Sequence, residues 1–217
     1  MTDLYVFDFH GVLEKGTENA VMLVSNMALE SKNYFYRMTP EDAVKYYGLK
    51  WGEIFEKMIK VSKEKANELY EECKKIDDIN PGIITRFTKQ NNNASIVLDK
   101  IIQKKHDYIL ISNTRPKALS EFIKSAELEK YFKEDNTFAV NKHESGQALN
   151  KELVLREYLS KRNYDRIIII GDSPGDIELK KVSPDNSITF LYTHPGLNFK
   201  ECEADYKIRD LMEIFLN

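Results

Sequence analysis

The sequence has few cysteines and no long apolar run, and both shortages narrow the class of protein. Only Cys73 and Cys202 occur among 217 residues, so a disulfide framework is not expected. No apolar run approaches the roughly 20 residues that a membrane-spanning helix needs. The first apolar run begins at Leu4, which leaves no room for a signal peptide before it. We therefore expect a cytoplasmic protein that has no membrane partner.

A long basic block is also missing. Lysine and arginine together number 32 against 35 aspartate and glutamate residues, which gives a net charge of −3. This balance disfavours nucleic acid as the main partner. The composition is 42% hydrophobic and 31% charged, which is typical of a folded soluble protein. The chain is long enough for one large domain, or for a core with a small accessory domain.

Apolar runs rich in β-branched and aromatic residues alternate with helical segments along most of the chain. The runs predict strands at residues 4–9, 108–112, 137–140, 167–170 and 187–192. The segments between and after them predict helices at residues 94–105, 116–126, 147–161, 175–182 and 206–215. The fourth run consists of four isoleucines, as expected for a strand that is buried on both faces. This alternation predicts an α/β fold with a parallel central sheet.

Residues 15–80 break the alternation. Helical patterns at residues 18–31, 40–47, 51–61 and 63–76 follow one another without a convincing strand. Thr39 precedes Pro40 and two acidic residues, which is a strong helix start. The segment ends at Asn80-Pro81-Gly82, a turn signal. We expect an all-α domain of residues 15–80, inserted into a core that residues 1–14 and 81–217 form.

The first expected strand ends in a carboxylate. Asp8 follows the run Leu-Tyr-Val-Phe and is itself followed by Phe9, His10 and Gly11. Ligands of open α/β sheets bind at the carboxyl edge of the strands. A carboxylate held there can be a nucleophile, a metal ligand or both. An aspartate at a strand end can also simply cap a turn.

Two further strand ends carry polar residues. The isoleucine run is followed by Gly-Asp-Ser-Pro-Gly-Asp, which places Asp172 and Asp176 in one turn. If both project near Asp8, the three carboxylates form the oxygen-rich environment that Mg²⁺ prefers, and without a cation they would repel one another. Ser112 and Asn113 end the second expected strand, where a hydroxyl and backbone N–H groups can bind a phosphoryl oxygen. By itself this pair is a weak signal, because both residue types are common in loops.

Taken in chain order, and together with a motif III lysine at Lys142 or Lys151, these motifs resemble motifs I to IV of the haloacid dehalogenase (HAD) superfamily, and the resemblance covers the whole chain. It implies a Rossmann-like core whose five strands, numbered along the chain, lie in the order 5-4-1-2-3. The inserted helices would then form a C1-type cap that closes over the carboxyl edge of the sheet and shapes a substrate pocket.

The resemblance also implies roles for the site residues. Asp8 would attack phosphorus, and a lysine near motif IV would neutralise the nucleophile and the phosphoryl group. Lys151, at the start of an expected helix behind Asn150, fits this role better than Lys142, although both remain candidates. Ser112 and Asn113 would bind the phosphoryl group. The ligands of Mg²⁺ would be Asp8, the backbone carbonyl of His10, Asp172 and Asp176, the last directly or through water.

His10 departs from the phosphatase pattern, which has a second aspartate at this position. That aspartate protonates the leaving group and later activates water. An imidazole can exchange protons near neutral pH, but a nearby Mg²⁺ disfavours its charged form. We therefore expect the metal site to persist and acid catalysis to be weakened.

The expected activity is Mg²⁺-dependent hydrolysis of a small phosphorylated metabolite through an aspartyl-phosphate. Three alternatives accompany it. A catalytically impaired phosphate-ester-binding or regulatory protein would keep the site and lack the proton shuttle. A phosphonatase would use a cap lysine such as Lys15 as a Schiff base. A dehalogenase also lacks the second aspartate, but Asp172 and Asp176 argue against it. Neither the substrate nor the oligomeric state can be read from the sequence.

Overall fold

The structure of the protein is a computed structural model, which describes residues 2–47, 49, 51–140, 150–195 and 198–216. Within these residues, the strands are β1 (Leu4–Phe7), β2 (Glu14–Lys15), β3 (Lys89–Gln90), β4 (Asp107–Ser112), β5 (Thr137–Ala139), β6 (Ile167–Gly171), β7 (Ser187–Tyr192) and β8 (Tyr206–Ile208). The helices are α1 (Thr17–Ser31), α2 (Pro40–Lys45), α3 (Trp51–Ile59), α4 (Lys63–Ile79), α5 (Ala94–Gln103), α6 (Pro116–Ser125), α7 (Lys151–Leu159) and α8 (Pro174–Ile177). Short 3₁₀ helices span Thr85–Phe87, Glu134–Asn136, Glu178–Val182 and Leu211–Phe215.

The chain divides into two compact units, Met1–Glu14 with Gln90–Asn217, and Lys15–Lys89. In the part of the first unit that is described, parallel strands form one sheet in the order β5-β4-β1-β6-β7-β8. The α/β fold with a parallel central sheet is therefore confirmed. The five expected strands lie in the expected order, with β1 between β4 and β6. Every residue of β1 and β6 is buried, because helices cover both faces of a sheet of this kind.

The sixth strand, β8, corrects an expectation. The predicted helix over residues 206–215 is wrong, because its first residues pair with β7, where Phe190 lies opposite Tyr206. The two rings stack with their centroids 5.0 Å apart, and Ile208 is buried. The chain then turns at Asp210, whose carboxylate accepts a hydrogen bond from the backbone N–H of Met212 at 2.9 Å. Three residues are too few for a strand period to be distinguished from a helical one in the sequence.

Two other expected helices have different bounds in the structure. The expected helix 175–182 starts one residue earlier, at Pro174, and after α8 it continues as a 3₁₀ helix over Glu178–Val182. The expected helix 147–161 is observed as α7, Lys151–Leu159, while residues 147–149 lie outside the described residues.

The second unit is helical, with α1, α2, α3 and α4 packed around a shared apolar core. Its helix starts follow the sequence signals. The Thr39 hydroxyl accepts a hydrogen bond from the N–H of Asp42 at 3.2 Å, and the Asp42 carboxylate accepts one from the N–H of Thr39 at 3.1 Å. This reciprocal pair satisfies two backbone donors at the start of α2. Trp51 donates a hydrogen bond to the Ser25 hydroxyl at 3.1 Å and packs against the same core.

The helical unit extends to Lys89, whereas the sequence placed its end at residue 80. Ile83 is 4% exposed and belongs to the apolar core of the helices. The Thr17 and Thr88 hydroxyls are 3.2 Å apart, which holds the end of the segment against the start of α1. The turn at Asn80 therefore lies inside the unit. No helix among the described residues combines the length and the apolar composition that crossing a membrane requires.

Candidate active site

Asp8 lies directly after β1, one of the two middle strands of the sheet. Its backbone N–H donates a hydrogen bond to the carbonyl of Ile170 on β6, at 3.0 Å. The chain then makes a wide turn over Phe9–Leu13, in which Gly11 has φ +76°, a value that favours glycine. The turn carries the backbone away from the sheet and leaves the Asp8 side chain 11% exposed at the carboxyl end of the strand.

The structure brings Asp8, Asp172 and Asp176 together. One carboxylate oxygen from each lies within 4.8 Å of the others. Gly171 is needed for this arrangement, because a Cβ at this position would overlap the Cβ of Asp176 and lie 2.7 Å from its Cγ. Ser173 orients Asp176 from the other side: its hydroxyl and its N–H donate to the same carboxylate oxygen, at 2.5 and 3.2 Å. Three carboxylates at this spacing are a donor set of hard oxygens, which fits Mg²⁺.

Lys151 joins two of these carboxylates. Its ammonium group donates to Asp8 Oδ1 at 2.6 Å and to Asp176 Oδ1 at 2.7 Å, and the side chain is only 5% exposed. The side chain of Asn150 accepts a hydrogen bond from the N–H of Leu153 at 2.8 Å and so caps the start of α7. The helix start thus directs Lys151 at the end of β1. The other candidate lysine, Lys142, lies outside the described residues.

The charges of the cluster perturb one another. Burial raises the pKa of Asp8 to about 7, with Asp176 and Asp172 adding to the increase and Lys151 opposing it. Burial also raises the pKa of Asp172. For Asp176, burial acts upward, but the charge and hydrogen bond of Lys151 outweigh it, so the pKa is lowered. Perturbations of this kind, in opposite directions, are typical of functional sites.

His10 has a partner that the sequence analysis did not identify. Its Nδ1 lies 3.0 Å from Oε1 of Glu14, a fully buried carboxylate that also accepts a hydrogen bond from the N–H of Gly11 at 3.2 Å. The imidazole and the ring of Phe122 pack nearly perpendicular to each other, with their centroids 4.8 Å apart. Burial acts to lower the pKa of His10. The hydrogen bond and the charge of Glu14, together with the charge of Asp8, outweigh burial and raise this pKa above its ordinary value.

Ser112 and Asn113 lie where β4 ends, on the strand beside β1. Ser112 is 1% exposed, and its hydroxyl donates to the Thr114 hydroxyl at 3.0 Å. The side-chain oxygen of Asn113 is buried and has no hydrogen-bond partner among the described residues. A buried acceptor of this kind is costly, so it is suited to a donor from a ligand or from water.

Lys200 is another residue of the site that the sequence did not predict. It lies between β7 and β8, and its ammonium group donates to Asp172 Oδ2 at 2.6 Å. No local pattern marks Lys200, because its partner is distant in sequence. One feature of the sequence could have identified Glu14: it is a charged residue four positions after His10, at the end of an otherwise apolar turn. Another could have identified Ser173, because it precedes Pro174 and Asp176 as a helix cap would.

A comparison with known families agrees with this geometry. The family model described as haloacid dehalogenase-like hydrolase matches residues 5–182. The chain belongs to this family. The matched span contains Asp8, Lys151 and the two carboxylates of the Gly171 turn, whereas Lys200 lies beyond it. Among curated proteins, no sequence matches the chain.

Solved structures of the HAD type share the fold over nearly the whole chain. A protein from Clostridium difficile, whose assignment as a phosphatase is provisional, has 19% identity and a TM-score of 0.75, and the match covers 99% of this chain and 97% of that one. A predicted phosphatase from Clostridium acetobutylicum has 15% identity and a TM-score of 0.69, with 99% and 96% covered. A HAD family hydrolase from Deinococcus radiodurans with bound phosphate and sodium has 14% identity and a TM-score of 0.69, with 98% and 93% covered. At these identities the likeness shows the fold.

Proposed function

We propose that the protein is a Mg²⁺-dependent hydrolase of a small phosphate monoester and works through an aspartyl-phosphate. The observation that carries this proposal is the contact of 2.6 Å between the Lys151 ammonium group and Asp8 Oδ1, inside a cluster of three carboxylates. A nucleophilic carboxylate needs a neighbouring cation to bring a phosphoryl dianion close to it. Membership of the HAD-like hydrolase family supports the same chemistry.

The residues fit Mg²⁺ because every side-chain donor in the cluster is a carboxylate oxygen. Asp8, Asp172, Asp176 and the His10 carbonyl would hold the ion. When bound, Mg²⁺ neutralises charge on the phosphoryl oxygens and orients the group for in-line attack. Lys151 and Ser112 would hold the phosphoryl group, with Asn113 beside them.

The proposed reaction has two displacements at phosphorus. In the first, a carboxylate oxygen of Asp8 forms a bond to phosphorus, the ester P–O bond breaks, and the leaving oxygen takes a proton from His10. In the second, water attacks the aspartyl-phosphate, His10 accepts its proton, and phosphate leaves with Asp8 restored. Lys151 stays charged throughout, because Asp8 and Asp176 raise its pKa although burial acts to lower it.

The contact with Glu14 supports this use of His10. A fixed carboxylate at Nδ1 keeps the proton on that nitrogen and leaves Nε2 for proton transfer. The contact with Phe122 further limits rotation of the ring. The competing proposal, a phosphate-ester-binding or regulatory protein with little activity, rests on the replacement of the second aspartate of motif I by His10.

The test is a panel of phosphomonoesters, with a phosphonate included, assayed with Mg²⁺ and with chelator. We expect Mg²⁺-dependent release of phosphate from at least one ester, and a loss of orders of magnitude in Asp8→Asn, which is nearly isosteric and should retain the fold. Hydrolysis that persists in Asp8→Asn would point to a metal-activated water instead. Cleavage of the phosphonate alone would favour a phosphonatase.

A second experiment separates a working acid from an impaired site. Nitrophenolate leaves without a proton at neutral pH, whereas an alkyl alkoxide needs one. If His10 is a poor acid, nitrophenyl phosphate is cleaved far better than alkyl esters, and His10→Asp restores alkyl turnover by roughly 10²- to 10⁴-fold. If His10→Asp lowers the activity on alkyl esters, the imidazole is the working acid and base. Binding of esters without turnover by either form would favour the regulatory protein.

A further inference from the structure

The carboxylate cluster is covered by two ammonium groups that are held differently. Lys151 bonds Asp8 and Asp176, is 5% exposed and belongs to the first turn of α7. Among the residues that the structure describes, Lys200 bonds Asp172 alone, and it lies on the connection between β7 and β8. Lys200 is 35% exposed and Asp172 is 13% exposed, so breaking this single, partly exposed ion pair costs less than removing a buried ammonium group from two carboxylates. Lys200 is therefore the cation that can leave the cluster.

The charges of the carboxylate cluster give a reason for Lys200 to leave it when a metal binds. When all of them are ionised, the three carboxylates and the two ammonium groups sum to one net negative charge, which attracts a dication only weakly. The Lys200 ammonium lies 2.6 Å from Asp172 Oδ2, on one of the three carboxylates that the metal would use. Two cations held at contact distance on one carboxylate repel each other strongly. Binding of Mg²⁺ to Asp172 therefore favours the departure of Lys200 from this carboxylate, unless an incoming anion compensates the added charge.

We propose that Lys200 is a tethered competitor of the metal: it occupies Asp172 in the metal-free protein and is displaced when Mg²⁺ binds. The proposal rests on the metal site of the proposed function. Two properties follow from it. The metal-free protein is protected from the repulsion of three adjacent carboxylates, and the affinity for Mg²⁺ is lower than the carboxylates alone would give.

The first test is thermal stability with and without Mg²⁺, using Lys200→Gln. In chelator, the variant should melt at a lower temperature than the wild type, because Asp172 loses its counter-charge. At saturating Mg²⁺ the difference should vanish, since the ion replaces the ammonium group. A difference that is the same in both buffers would mean that Lys200 is an ordinary surface ion pair, and the proposal would be wrong.

Lys180→Gln is the matched control. Lys180 bonds Asp205 at 2.6 Å, is also 35% exposed and lies in the same unit, but neither residue belongs to the carboxylate cluster. Its loss should lower the melting temperature equally with and without Mg²⁺. A Mg²⁺-dependent effect of Lys180→Gln would show that the readout does not report on the cluster, and it would remove the support from the first test.

The second test is calorimetric titration with MgCl₂ alone, without substrate. Lys200→Gln should bind Mg²⁺ roughly tenfold more tightly than the wild type, because no ammonium group has to be displaced. Equal or weaker binding by the variant overturns the role of Lys200 and leaves the hydrolase proposal intact. Absence of Mg²⁺ binding in both forms overturns the metal site and this proposal together. Tighter binding by the variant without ester hydrolysis in either form supports Lys200 as the competitor and contradicts the hydrolase.

Discussion

Replacement of Lys151 by methionine should destabilise the metal-free protein strongly. The ammonium group is 5% exposed and donates to Asp8 and Asp176, whose side chains are 11% and 4% exposed. Methionine keeps the length and the apolar packing of the stem but leaves both carboxylates without this donor. Removal of one partner from a buried ion pair costs about 3–5 kcal/mol, and we expect a loss in this range.

The measurement is the free energy of unfolding from urea titration in chelator at about pH 8, where carboxylates and lysine are both ionised. Asp8, with its pKa raised to about 7, is then mostly charged, and the raised pKa of Lys151 keeps its contribution fully present. The control is Arg156→Met on the same helix. Arg156 bonds Glu152 at 2.9 Å, but both side chains are about half exposed, so we expect a loss below about 1 kcal/mol. Equal losses in the two variants would refute the buried ion pair.

Two further predictions concern single substitutions. Gly171→Ala should displace Asp176, which its Cβ would overlap, and weaken Mg²⁺ binding about tenfold or more in calorimetry. Gly175→Ala, where the nearest atom to an added Cβ is 4.0 Å away, should change it little, and equal effects would contradict the steric argument. Burial acts to raise the pKa of Asp205. Its hydrogen bonds, of which the one from Lys180 has the largest effect, hold this pKa below its ordinary value. Its stabilisation is therefore present above about pH 3.9 and lost as the pH falls through the lower folded-state pKa. In thermal melts, the deficit of Asp205→Asn should shrink on acidification, and a constant deficit would exclude the linkage.

The parts of the fold that the sequence predicts well are those with a local cause. The strands that end at Asp8 and Asp172 are apolar runs closed by a carboxylate, and a buried central strand needs such a run whatever its neighbours are. The helix starts at Thr39 and Asn150 are likewise determined by residues close to them in the sequence. Strand β8 could not be predicted, because a three-residue edge strand is stabilised by its pairing with β7 rather than by its own pattern.

The same distinction holds in the candidate site. The acidic residues follow from strand ends that converge on one edge of a parallel sheet, and Lys151 from the start of a helix. Lys200 lies on a loop and contacts Asp172 only because the chain folds back after β7. The end of the helical unit at Lys89 similarly depends on the burial of Ile83, which no turn signal records.

The central claim is that Asp8 forms a covalent bond to phosphorus. The most direct test is to mix the protein with Mg²⁺ and a phosphate ester that it hydrolyses, and to quench the reaction in acid within the first turnover. The protein is then digested, and the phosphate is located by mass spectrometry. We predict an acyl phosphate on Asp8 that hydroxylamine removes. With nitrophenyl phosphate, whose leaving group needs no proton, His10→Ala should accumulate more of it, because this variant lacks the group proposed to activate water. Turnover of the ester with no phosphate on Asp8, or with phosphate on another residue, would contradict the account.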